Sequence, residues 1–368
     1  MSSTNNSILV DSVVDIIASY LHLGARGDQF LVSGRSSLIK TVSTFISSSQ
    51  PIELIFPGFP FKSPSPTKVL SSLPDLGEEL LLKRLDSLAT DITKVYEAGA
   101  VVRVVSDGVV YGSLLGVKER EVWKYGEGLR GMKRKCGLDR LEFVRVCDLL
   151  DSNPVSTPGA QSLDTPPSSS DSDSESWMTE EAYLLSLSDI RGRFLAHEVQ
   201  GYDLDDALKN DSGTLWTYRG YLKFLESDLE GSEVMRGVVS GNAKDKKRRI
   251  IAKAMLRNGA RFSDLVARKF PDAVRLSVHA HNNAGPKFAF DLFPGRDMSA
   301  SPVRRYCLLS ILYDPLPIPL PASSSRRSPF SFHTPRPYDD IFRTNHPASF
   351  TSYLYARSDT HSSFLPRR

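Results

Sequence analysis

The sequence predicts an α/β fold, a largely parallel sheet flanked by helices. Three observations carry this. Short runs rich in Val, Ile and Leu recur at residues 51–56, 101–105, 142–147 and 274–278, and they have the length of strands. The stretches between them carry apolar residues at a helical period. Strands separated by helices pair in parallel through crossovers.

Taken in order, residues 12–21 (SVVDIIASYL) form an amphipathic helix, and residues 38–46 form another. Residues 51–56 make a short strand that ends at Pro57. Residues 74–96 are helical: Pro74 and Asp75 start the helix, and Leu80, Leu81, Leu85, Leu88, Ile92 and Val95 share one side. The strand at 101–105 stops at Ser106-Asp107-Gly108. A helix over 119–135 precedes the strand at 142–147. Thr179-Glu180-Glu181 opens a helix with favourable charge at its amino end. Helices follow at 215–229 and 244–258, with Asn258-Gly259 read as a stop. A further helix spans 262–270, and the strand at 274–278 ends at His279.

Composition divides the chain. Residues 151–176 hold nine Ser and four Pro with almost nothing apolar, so residues 151–177 read as a disordered insert. Residues 301–368 hold ten of the 23 Pro and none of the 24 Gly. With no steady period, residues 296–368 read as a poorly ordered, irregular tail. The folded part is then one domain in two halves, 1–150 and 178–295.

Charge and cysteine content exclude several classes. The tail carries nine Arg and four Asp with no Lys or Glu, so it contributes +5 to the overall +3, and the other 300 residues sum to −2. A basic face for a nucleic acid is therefore not expected on the folded body. No apolar run approaches the ~18–20 residues of a membrane span, and the first residues lack the pattern of a secretory signal. Cys136, Cys147 and Cys307 form no disulfide framework and no CxxC pair. The expected setting is cytoplasmic and reducing.

Three of the strands run into polar loops. The first is followed by Lys62 and Ser63, the second by Ser106 and Asp107, and the last by His279 and His281. Open α/β sheets bind ligands beyond the carboxyl ends of their strands. Together these loops make a candidate site; the alternative is that Lys62, Asp107 and His279 are independent loop residues. Familiar machinery is missing: there is no GxGxxG after a strand, no GxxxxGK[ST] and no GxSxG. A metal at His279 and His281 would need a carboxylate, for which Asp291 is a weak candidate, so no metal and no cofactor are expected. The basic run KDKKRRIIAK at 244–253 reads as the solvated face of a helix.

Four segments carry a family resemblance: residues 56–80 (FPGFPFKSPSPTKVLSSLPDLGEEL), 106–117 (SDGVVYGSLLGV), 217–229 (TYRGYLKFLESDL) and 253–280 (KAMLRNGARFSDLVARKFPDAVRLSVHA). They resemble the pyoverdine/dityrosine biosynthesis family, the isocyanide (isonitrile) synthases, over residues 30–150 and 178–293. The resemblance implies a Rossmann-like α/β fold. It also implies conversion of an amino acid's α-amine to an isonitrile, or to an N-formyl group as in a yeast relative, with ribulose 5-phosphate giving the carbon. Tyrosine, tryptophan or an aliphatic amino acid would be the substrate.

On this resemblance, two of Lys62, Lys68 and Arg219 bind the phosphate, Ser63 and Ser106 hold sugar hydroxyls, and Lys287 binds the amino-acid carboxylate. Asp107 and His279 are the acid/base pair. A separate iron/2-oxoglutarate oxygenase is the implied pathway partner; neither a nucleic acid nor a membrane is. Two departures stand out. Ser113 occupies a position where the family usually has Asp, and Ala98 one where it usually has Pro. The family pattern is also lost after Gly295, which implies a frame-shifted, read-through or truncated end and, with it, a second reading as an inactive relative.

Overall fold

In the computed structural model, residues 3–24, 27–65, 68–150, 179–229, 232–277 and 282–292 are described. The insert at 151–177, the tail, His279 and His281 lie outside the described residues. Among the described residues, five strands form one parallel sheet: β1 (Ile52–Pro57), β2 (Ala100–Val105), β3 (Leu141–Val144), β4 (Val274–Ser277) and β5 (Lys287–Ala289). Their order is β3-β2-β1-β4-β5, and every neighbouring pair is parallel. The chain steps outward from β1 to β3, then returns across β1 to lay down β4. The order reverses between β1 and β4, the place where sheets of this kind form a ligand crevice.

Period-two alternation assigns the side chains of β1 and β2 to two layers. Ile52, Leu54 and Phe56 of β1 join Ala100, Val102 and Val104 of β2 in one core, under α1 (Ser3–Ser19), α2 (Arg35–Ser47) and α3 (Leu76–Val95). Ile55 and Val105 point the other way, into a second core. That core is built with α4 (Gly108–Leu115), α6 (Val146–Leu150), α7 (Glu180–Ala196), α8 (Leu204–Asn210), α9 (Ser212–Asp228) and α10 (Gly241–Lys269). α5 (Glu119–Cys136) bridges the two, giving Tyr125 and Leu129 to the first core and Val122 to the second. Both faces of the sheet are covered, which is why its strands read as near-continuous apolar runs.

α3 begins as its sequence predicts. Asp75 caps it by accepting from Gly77 N at 2.8 Å, and Glu78 Oε2 accepts from Asp75 N at 2.8 Å, closing a capping box. Elsewhere the structure corrects the sequence reading. α1 starts at Ser3 rather than near residue 12. The strand expected at 142–147 ends at Val144, because Arg145 N donates to Asp148 Oδ2 at 2.7 Å and starts α6. The stop expected at Asn258-Gly259 is not a stop: α10 is continuous from Gly241 to Lys269. Asn258 instead spends its amide on Val110 O, 2.9 Å away in α4, which ties the two helices together. α4, α6, α8 and β5 are additions to the elements that the sequence predicts. Among the described residues, no helix is long and apolar enough to cross a membrane.

Candidate active site

The site is built on the carboxyl ends of β1 and β2. Gly58 N donates to Val105 O at 3.0 Å, and Ser106 Oγ donates to Phe59 O at 3.3 Å, so the loops after the two strands are joined from their first residues. Phe59 is buried and turns the chain in the left-handed region, with φ 58°, a conformation few bulky residues adopt. Gly108 lies so close to the β1 loop that a Cβ there would fall 2.7 Å from Pro60 O and 2.5 Å from Val122 Cγ1. Only glycine fits that approach.

Lys62 is sealed inside the resulting loop. Its Nζ stands 2.6 Å from Glu78 Oε2 and 2.9 Å from Asp75 Oδ2, and Tyr125 donates its hydroxyl to Glu78 Oε1 at 3.2 Å. Burial works against the Lys62 ammonium, but Glu78 and Asp75 outweigh it and hold its pKa above the usual lysine value. Burial likewise opposes the Asp75 charge, yet Lys62 and the Gly77 amide bring that carboxyl below its usual range. The capping box thus serves twice: it starts α3 and anchors the loop lysine.

A second knot holds the far end of the loop. Asp228, the last residue of α9, is fully buried. Ser63 Oγ donates to its Oδ1 at 2.6 Å, and Lys68 Nζ reaches its Oδ2 at 2.6 Å and Ser227 Oγ at 2.7 Å. Burial raises the Asp228 carboxyl, and Lys68 and Ser63 pull against it. The sequence reading missed this residue. Its signal lay in the stripe Tyr221, Phe224, Leu225, Asp228 and Leu229, which puts an aspartate on the buried face of the helix.

Asp107 is buried at the start of α4, and its side chain does not cap that helix. Arg145 follows β3 directly. Burial pulls the pKa of Arg145 down to about 10, and the neighbouring Arg130 adds to the effect. Both guanidiniums line a cavity of about 40 Å³ shared with Ser106, Cys147 and Tyr183. Burial pushes the Cys147 thiol up to about 12, so it is not a thiolate there.

The loops of Lys62, Ser63, Lys68, Ser106 and Asp107 therefore meet at one rim. Lys62 and Lys68 are each committed to a carboxylate and are not loose cations, as the sequence alone suggested. Arg219 lies apart, on the exposed side of α9 with its guanidinium 5.4 Å from the Trp216 ring centre. Lys287 is buried two register positions short of the strand ends, where its Nζ contacts Ser263 Oγ of α10 at 3.4 Å. Among the described residues, no three His, Cys, Asp or Glu side chains gather as a metal would require.

Fold and rim define a doubly wound α/β protein in which the salt-bridged loop after β1 is hydrogen-bonded to the loop after β2. The profile of the pyoverdine/dityrosine biosynthesis protein family matches residues 42–321, past the Gly295 limit read from sequence, and the chain belongs to that family. It is 36% identical over 264 residues to isocyanide synthase xanB of Aspergillus fumigatus, covering 71% of this chain and 32% of that protein. It is 31% identical over 280 residues to the spore wall maturation protein DIT1 of Saccharomyces cerevisiae, covering 74% and 50% respectively. The crystal structure of PvcA from Pseudomonas aeruginosa superposes with a TM-score of 0.63 at 24% identity, covering 80% of this chain and 87% of that one, and it shares the fold. The chain thus spans about a third to a half of these two fungal relatives.

Proposed function

We propose that this chain carries an isonitrile-synthase activity. It converts the α-amine of an amino acid, tyrosine, tryptophan or an aliphatic one, to an isonitrile or an N-formyl group, with ribulose 5-phosphate as the one-carbon donor. Family membership supports this reading, as do the names of its relatives, which include an isocyanide synthase and, at 30% identity, an L-tyrosine isonitrile synthase of Pseudomonas aeruginosa. The observation that carries it is the apposition of the loops after β1 and β2, joined by Gly58 N to Val105 O and by Ser106 Oγ to Phe59 O, with β1 bordering the point where the sheet order reverses.

Joining an amine to a ketone moves a proton off nitrogen and onto the departing oxygen, and the later carbon–carbon cleavage moves protons again. A positioned acid/base group contributes about 10²–10⁴-fold to such steps. Asp107 takes that role, with His279 from the segment after β4 as its partner. In this reading Ser106 and Ser63, whose own protons go to Phe59 O and Asp228, accept from the sugar hydroxyls, while Lys62 and Lys68 shape the loop through their ion pairs. The product passes to a separate iron/2-oxoglutarate oxygenase, and the setting is cytoplasmic.

Incubating the purified chain with labelled ribulose 5-phosphate and a panel of amino acids tests the reading. Label in an isonitrile or formyl product, lost in Asp107→Asn, is the expected result. No labelled product with any amino acid favours the second reading, an inactive relative, for which Ser113 in place of the family's usual aspartate is the specific observation.

A further inference from the structure

Three helices meet at a second cavity, on the α10 side of the sheet. Its volume is about 230 Å³. α10 contributes Ala254, Arg257, Asn258 and Arg261, one stripe of its surface; α4 contributes Val110 and Ser113; and α7 contributes Arg191 and Phe194. Three arginines therefore line it, and no carboxylate does. Arg191 pairs with Glu119, the first residue of α5, while its buried Nε makes no hydrogen bond among the described residues. Arg261 gives Nε to His197 O at 3.0 Å and Nη1 to Asn258 Oδ1 at 3.2 Å, both neutral acceptors. Arg257 forms no ion pair among the described residues, and Asp264, a turn beyond Arg261, is already held by His197 and Arg268 at 2.7 Å each. Burial and the charge of Arg257 both depress the pKa of Arg261, and Asp205, the carboxylate that feels Arg257, is itself paired with Lys253 at 2.7 Å.

Val110, Phe194 and Ala254 give the cavity an apolar wall, and three guanidiniums with no carboxylate in the lining attract an anion. Forked guanidiniums match the geometry of phosphate oxygens. We infer that this cavity binds the phosphate group of a small phosphorylated molecule, with Arg257 and Arg261 as its direct ligands and Arg191 behind them. The inference deepens the functional reading, whose carbon donor is a phosphate ester. It nevertheless rests on the charge balance of the cavity and is read without turnover.

The probe is inorganic phosphate, titrated calorimetrically into the full-length protein at low salt, with acetate as the singly charged comparison. Phosphate should bind at one site and more tightly than acetate. Arg257→Gln, at an exposed position, and Arg261→Gln should each weaken phosphate binding about tenfold, the loss of one charge-assisted hydrogen bond. Lys246→Gln, elsewhere on α10 and outside the cavity, should leave it unchanged. Absence of binding to the unmodified protein, an unchanged Arg257→Gln, or equal weakening by Lys246→Gln would overturn the site. Phosphate bound as expected by a protein that makes no isonitrile would leave the site standing and remove the proposed activity; the converse pattern would do the opposite.

Discussion

Lys62 Nζ and Glu78 Oε2 stand 2.6 Å apart, and both side chains are only 2% exposed. The pair joins the loop after β1 to the first turn of α3 and leaves no room for either charge to relax into water. Breaking a buried pair by removing one partner costs about 3–5 kcal/mol, because the other charge is left uncompensated. Lys62→Ala should therefore lower the urea-unfolding free energy by that order. The double variant Lys62→Met/Glu78→Gln, which keeps an acceptor for Asp75 N and Tyr125, should recover much of the loss. Equal destabilisation by the single and the double variant would show that the pair is not what holds the loop.

The same pair sets an alkaline limit. The folded pKa of Lys62 lies above the usual lysine value of 10.5, so the folded chain keeps this proton longer than the unfolded one. The resulting stability is fully present below that value and is lost as pH rises through the folded pKa. Urea midpoints followed from about pH 9 upward should fall more steeply in the unmodified protein than in Lys62→Met.

Gly108 is a test of the loop apposition. Gly108→Ala forces a methyl group against Pro60 O and Val122, and overpacking of this kind costs about 1–3 kcal/mol. Gly220→Ala in α9, where a Cβ meets nothing within 4 Å, should instead stabilise by about 0.5–1 kcal/mol. Thermal unfolding of the two variants should move in opposite directions.

Asp228 holds Ser63 and Lys68 from the end of α9. Asp228→Asn keeps the shape but removes the charge, so the segment around residues 63–68 should open. Limited proteolysis in that segment should speed up well before global stability is lost. An unchanged cleavage pattern would mean that the loop is fixed by Lys62 alone.

Asp107→Asn is the variant that separates chemistry from architecture. Asn matches Asp in size and shape, so the fold should survive. Turnover of the amino acid should fall by about 10²–10⁴-fold, the contribution of a positioned acid/base group. A fall in melting temperature that accounts for the lost activity would make Asp107 structural.

The start of α3 was legible because its signal is local: Asp75 and Glu78 lie three residues apart and cap the same turn. The reading failed where one residue type serves two ends. Asn258-Gly259 looks like a helix stop, yet Asn258 bonds across to Val110, 148 residues away, and helix–helix packing overrides the local signal. α4 is hidden in the sequence because Gly108 and Gly112 disfavour a helix, while packing against Pro60 and Val122 demands the small size of Gly108.

The sequence by itself determined four of the five strands in outline, their parallel pairing, the family and the loops that follow the strand ends, since all of these are written in short-range periodicity and contiguous motifs. Only the tertiary structure decided what the charges in those loops do. Lys62 looked like a cation waiting for a ligand, and it is neutralised by Glu78; Lys68 is neutralised by Asp228, 160 residues further on. Arg257 and Arg261 line a cavity whose lining holds no carboxylate, on the same helix as the run 244–253 that the sequence assigns to a solvated face. Coulomb energy depends on distance and burial, and neither is fixed until the chain has folded.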